Sequence, residues 1–192
     1  MARVTMLHLA GLIFIAIAIA EAVQQPTPLM LAAAVGNLQG VQTLIVEGAD
    51  VHTTDDHGGT ALHAAVVGQH TRVVRTLLTA GAQTEVLGHT GRAPLHYAAY
   101  NGDHETITAL LDGGAKINVR DGKGSTTPLM FAAGGGHAAA VNVLIARGAK
   151  INLKDKQGRA AKDYASGLRG IDDKAMGRVL HLLANMKRKA EL

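Results

Sequence analysis

Hydrophobic residues in this chain gather in short clusters spaced three and four positions apart, each followed by a Gly-Ala pair. Val41, Leu44 and Ile45 precede Gly48-Ala49, and Val73, Val74, Leu77 and Leu78 precede Gly81-Ala82. Ile107, Leu110 and Leu111 precede Gly114-Ala115, and Val141, Leu144 and Ile145 precede Gly148-Ala149. Such spacing places each cluster on one face of a helix, and the glycine stands where a helix ends in a left-handed residue. Ahead of every cluster lies a second short element, opened by a tetrad: Thr27-Pro28-Leu29-Met30, Thr60-Ala61-Leu62-His63, Ala93-Pro94-Leu95-His96 and Thr127-Pro128-Leu129-Met130. Proline in second place suits a helix's first turn, where its missing donor would be unpaired anyway. Small Ala pairs then let that helix lie close to its neighbours. The tetrads start at residues 27, 60, 93 and 127, a period of 33 or 34, so the pattern predicts one helix-turn-helix unit copied along the chain. About a dozen residues separate each closing glycine from the next tetrad, enough for a hairpin-like loop.

The period continues in degenerate form. Asp155, Gly158 and Ala160-Ala161-Lys162-Asp163-Tyr164-Ala165 make a fifth copy, after which Gly167 to Gly170 forms a longer turn and Asp172-Asp173 opens a last helix. Met176, Val179, Leu180, Leu183 and Met186 form its apolar stripe, and Lys187-Arg188-Lys189 sits at its end, where the helix dipole favours cations. This predicts the terminal cap that repeat stacks need. Copies also depart from one another. The fourth carries an extra residue between Gly124 and Thr127, Gly88 replaces the Asp that opens other hairpins, and Met30 and Met130 replace the tetrad His.

Tetrad, double Ala, inter-helix Gly, Leu pair and closing Gly-Ala recur together over residues 27 to about 165, and this combination resembles the ankyrin repeat. The resemblance implies an all-α solenoid of about five repeats, at about 24–54, 55–87, 88–120, 121–154 and 155–192, within a domain over 23–192. It also implies that His63, His96, His70 and His137 are structural, and that hairpin tips and inner helix ends form an interaction face. Carried over position by position, that face contains Asp56, His57 and Val67 from the second copy and His89, Thr90, Arg92, Tyr100 and Asn101 from the third. Lys123 comes from the fourth and Lys156 and Arg159 from the fifth. Tyr100 and Arg92 belong to the residue types that dominate binding hot spots, whereas Tyr97 and Phe131 are expected in the core.

The N-terminus follows a different pattern. Arg3 is the only charged side chain before Glu21, and Leu9 to Ala20 is an uninterrupted apolar or Gly run ending in Ala20-Glu21-Ala22. A positive start, an apolar centre and a small-x-small site predict a secretory signal peptide over 1–22, cleaved after Ala22 at the edge of the first repeat. The run is short for a membrane span of about 20 residues, so no stable anchor is expected after cleavage. The chain of 192 residues has no cysteine, which leaves stacking to hold the exported protein together. Export with this composition points to a bacterial periplasm.

Candidate chemistry is sparse. Ser125 and Ser166 are the two serines, both in expected loops, and no Cys is present, so the usual hydrolytic nucleophiles are nearly missing. Gly122-Lys123-Gly124-Ser125-Thr126 resembles a phosphate loop only faintly, because Ile117 takes the place of its first Gly and Gly124 that of its Ser/Thr. Gly134-Gly135-Gly136 fits a tight turn between helices. Equivalent histidines in adjacent copies are expected about 10 Å apart, too far to share an ion with bonds near 2 Å. His57 and His89 sit on hairpin tips, and no metal or other cofactor is expected there either. A net charge of +4 is too small to argue for nucleic acid.

Together these observations predict a monomeric, non-catalytic module that binds a protein partner in the periplasm. The alternatives are a stoichiometric inhibitor or immunity protein directed at an envelope hydrolase, and a metal-binding or oxidative-stress accessory protein.

Overall fold

A computed structural model describes residues 26–166 and 177–184. Helices follow in pairs: α1 (Pro28–Ala34) and α2 (Leu38–Val46), α3 (Ala61–Val67) and α4 (Thr71–Thr79), α5 (Pro94–Asn101) and α6 (His104–Asp112), α7 (Pro128–Gly134) and α8 (Ala138–Ala146). Then come α9 (Ala161–Ser166) and a helical stretch over 177–184. Odd-numbered helices pack in succession, α1 on α3 through to α7 on α9, and α2, α4, α6 and α8 form a second row behind them. Among the described residues there is no strand, and no helix is long and apolar enough to cross a membrane. The all-α solenoid is as the period predicts. The expected leader over 1–22, Gly167 to Gly170, Asp172-Asp173, Met176, Met186 and Lys187 to Lys189 lie outside the described residues.

Local chemistry explains both ends of each unit. Pro28, Pro94 and Pro128 occupy the first helical turn, and Thr27 Oγ1 caps α1 by accepting from Met30 N–H at 3.2 Å. At the close of α2, Gly48 takes φ +90° and donates to Ile45 O, while Ala49 N–H reaches back to Leu44 O at 2.9 Å. Those two bonds satisfy carbonyls that a helix end would otherwise leave unpaired. The same pair recurs at Gly81-Ala82, Gly114-Ala115 and Gly148-Ala149, which is why this dipeptide repeats.

The inter-helix turn uses this geometry too, with one departure among the copies. Gly36, Gly102 and Gly136 carry its positive φ, but in the second copy Gln69 does so, at φ 59°, and Gly68 remains right-handed. In the fourth hairpin the extra residue is absorbed by Ser125 at φ 57°.

The core is one continuous apolar layer between the two rows. It contains the tetrad leucines Leu29, Leu62, Leu95 and Leu129 and the outer-row residues Val41, Leu77, Leu110 and Leu144. In the terminal helix Val179 and Leu183 are buried whereas Leu180 is exposed, so the stripe is narrower than predicted. The first copy is less covered than the rest: Leu44 and Ile45 are half-buried, and Leu31, Val35 and Val46 are exposed.

Candidate interaction face

Each hairpin is held by its own backbone, and in three copies an Asp reinforces it. Asp55 Oδ1 accepts from His57 and Gly59 N–H at 2.9 and 2.7 Å, and Asp121 Oδ1 from Gly124 and Thr126 N–H at 2.9 Å each. Asp155 Oδ1 accepts from Gln157 and Arg159 N–H at 2.9 and 2.8 Å. Its Oδ2 also takes the Tyr164 hydroxyl at 2.7 Å and Arg159 Nε at 2.9 Å. Burial raises the Asp155 carboxyl's pKa, but the bonds from Tyr164, Arg159 and Gln157 outweigh it and bring it to about 2.

Buried histidines then tie hairpins to the preceding unit. His63 Nδ1 accepts from Thr60 N–H at 3.3 Å and its Nε2 donates to Arg92 O at 3.1 Å. His96 repeats the arrangement with Ala93 N–H at 3.1 Å and Thr126 O at 3.0 Å. This tautomer follows from the partners, an N–H facing one nitrogen and a carbonyl facing the other. Burial lowers both pKa values, although the carbonyls and nearby Asp55 or Asp121 act in the opposite direction. From the outer row, His70 and His137 donate to Ala34 O and Tyr100 O at 3.0 and 2.9 Å. All four are structural bridges.

Residue five of each motif faces the hairpins and carries an aromatic ring in the last three copies: Tyr97, Phe131 and Tyr164. A hairpin residue engages each ring. Thr90 Oγ1 meets the Tyr97 hydroxyl at 2.7 Å, the Arg92 guanidinium lies 4.4 Å from the Phe131 centroid, and that of Arg159 lies 4.7 Å from Tyr164. Tyr100 packs against Phe131 edge to face at 6.4 Å while remaining 60% exposed. Phe131 and Tyr97 pack against the core as expected but are only half-buried, because the position looks between inner helices and hairpins. The family models match this stretch: one for ankyrin repeats in three copies covers residues 29–121, and one for ankyrin repeats in many copies covers 110–165. The chain belongs to the ankyrin-repeat family. No curated protein sequence matches it significantly. Ankyrin repeats are in general protein-protein interaction modules, typically without catalytic activity.

On this ankyrin scaffold the expected face residues occupy distinct settings. Asp56, His57, His89, Lys123 and Lys156 are exposed at hairpin tips; Val67 and Tyr100 are exposed at inner helix ends, with Asn101 half-buried. Arg92 and Tyr100 converge on Phe131. His57 and His89 meet edge to face at 4.5 Å between centroids, closer than the spacing of repeats because side chains on neighbouring tips lean together. Among the described residues no group of three His or acidic side chains is placed to hold a metal ion. The basic end is partly engaged within the chain, since Lys156 Nζ donates to Lys123 O at 2.7 Å and Arg159 pairs with Asp155. Thr90 is committed to Tyr97. Sequence reasoning missed Phe131 as the centre of the face, although the recurrence of aromatics at position five could have shown it.

Proposed function

We propose that this ankyrin-repeat chain is an exported, non-catalytic binding module that holds a periplasmic protein partner against the face between its hairpins and inner helices. The observation that carries the proposal is the convergence of Arg92 and Tyr100 on Phe131, which sets a guanidinium and an exposed phenol on one rigid aromatic base. Fixed aromatic and Arg side chains lose little freedom on binding and supply most interface energy. Exposed Val67 extends an apolar strip along the inner helix ends. Export rests on the leader's composition, with its Ala20-Glu21-Ala22 site.

Affinity capture from a periplasmic extract, run in parallel with wild type and with Arg92→Ala/Tyr100→Ala, tests both parts. The wild type is expected to retain a partner that the double variant loses, with helical circular dichroism and melting temperature nearly unchanged. A partner retained by the double variant would move the interface elsewhere. A chain recovered from cells with its first 22 residues intact, by mass spectrometry, would remove the cleaved-leader reading.

A further inference from the structure

Arg92 and Arg159 are equivalent residues in different copies. Each stands immediately before its tetrad, and each closes a hairpin by accepting, at its carbonyl, from the residue four earlier: Gly88 N–H to Arg92 O and Asp155 N–H to Arg159 O, both 3.0 Å. Each lays its guanidinium on a ring, 4.4 Å from Phe131 and 4.7 Å from Tyr164. They differ in whose ring that is, since Tyr164 belongs to Arg159's own copy and Phe131 to the copy after that of Arg92, and in the residue that opens the hairpin. In the fifth copy it is Asp155, whose Oδ2 accepts from Arg159 Nε and lies 2.9 Å from its Nη2. In the third it is Gly88, which has no side chain to offer. Among the described residues the half-buried Arg92 guanidinium has no hydrogen-bond or ion-pair partner, and its Nε is buried without an acceptor. The third hairpin thus has the arginine, supported by the next copy's ring, but lacks the carboxylate.

We infer that the missing carboxylate comes from the partner: Arg92, held on Phe131 beside Tyr100, receives an acidic group of the bound polypeptide on its terminal nitrogens. The inference rests on the interaction-face reading and gives that partner a chemistry. A planar guanidinium offers paired donors that match a carboxylate and cannot be deprotonated. Contact with Phe131 fixes its plane in advance, so less freedom is lost when the pair forms. Neighbouring carboxylates do not compete for it, because Asp121 and Asp155 already accept from their own hairpins. Exposed Lys123 on the next tip adds positive charge.

The structure also supplies the control. Gly88→Asp gives the third hairpin the carboxylate that the fifth has, and the space exists in principle: Asp121 occupies the same hairpin position beside His96 in the next copy. At Gly88 a Cβ would lie 3.3 Å from the His63 ring, a contact that needs a small adjustment. Should this variant lose its helical circular dichroism, Arg92→Gln replaces it in the same comparison.

The probe is a random library of twelve-residue peptides displayed with free C-termini, selected on the full chain; the best binder is then synthesised and titrated calorimetrically. Enriched peptides are expected to share an Asp, a Glu or a dependence on the terminal carboxylate. Changing that acid to its amide, or capping the C-terminus as carboxamide, should weaken binding to wild type by about tenfold, as expected for a charge-assisted bond. The acid side-chain and C-terminal arms separate the two sources. On Gly88→Asp or Arg92→Gln the same change should cost less than about twofold, since the arginine is already neutralised or gone. Enriched peptides without a needed carboxylate, or equal losses on wild type and variant, overturn the carboxylate inference and leave the interaction face standing. A library that enriches nothing overturns both.

Discussion

The joint between the third and fourth copies and the joint between the fourth and fifth solve the same problem differently. In the former, His96 is fully buried and sends a directional bond to Thr126 O at 3.0 Å, while His137 adds a second bond to Tyr100 O. In the latter, Met130 occupies the equivalent buried place; its sulfur accepts from Thr127 N–H at 3.4 Å but it has no proton to give to the next hairpin. The polar links of that joint lie nearer the rim instead: Lys156 N–H to Gly124 O at 2.9 Å and Lys156 Nζ to Lys123 O at 2.7 Å are between hairpin tips, and the partly buried Thr126 and Tyr164 hydroxyls meet only at 3.5 Å. Water competes for bonds at a rim and not for those in a core, so the inner joint is both stronger and more particular about its partner. One scaffold therefore combines stapled joints with joints that are held mainly by packing.

Breaking the stapled joint should have the largest effect. His96→Ala strands Ala93 N–H and removes a donor from Thr126 O, and is expected to lower unfolding free energy by about 2–4 kcal/mol; an unchanged denaturant midpoint would show that the bridge contributes nothing. Acid should act on the same bonds. Because burial holds His63 and His96 below 6.5, the unfolded chain takes up their protons first as pH falls, so stability is full above 6.5 and declines below it. The slope is at most about 1.4 kcal/mol per pH unit for each histidine, and His96→Met should remove one share of it. A pH-independent melt between neutral and mildly acid buffer would contradict the assigned tautomers.

Smaller changes sharpen the contrast. Met130→His offers the fourth joint a donor toward Arg159 O, which now accepts from Asp155 N–H. It should raise stability by about 0.5–1.5 kcal/mol and slow amide exchange in α9; faster exchange there would mean that the pocket cannot seat the ring. Arg147→Ala removes an exposed pair with Asp112, whose side chains are 42% and 55% accessible. It should alter the melt by less than about 1 kcal/mol, and a larger loss would place the outer row's charges among the determinants of the joint.

The repeating skeleton was legible because each of its demands falls on a residue with few substitutes: Pro at a first turn, Gly at φ near 90°, Leu in the buried layer. The second copy's turn departs from the glycine pattern, because there Gln69 adopts the positive φ that Gly36, Gly102 and Gly136 take in the other copies. The face was less legible. Arg92 was recognised as a candidate, but that its guanidinium crosses to a ring of the next copy depends on side-chain reach, as does the meeting of His57 with His89. The replacement of Asp by Gly88 was visible in the sequence, yet its meaning for Arg92 required the fifth copy's Asp155–Arg159 pair as a spatial template.

Ser125 shows how such a chain can change over evolutionary time. One added residue in the fourth hairpin is taken up by a single left-handed backbone position at its tip, and the following tetrad place arrives at residue 160 with the stack undisturbed. Mutational drift in tip length and composition is thereby uncoupled from the apolar layer. Descendants of this gene can acquire new partners by insertion at the tips while inheriting the same frame.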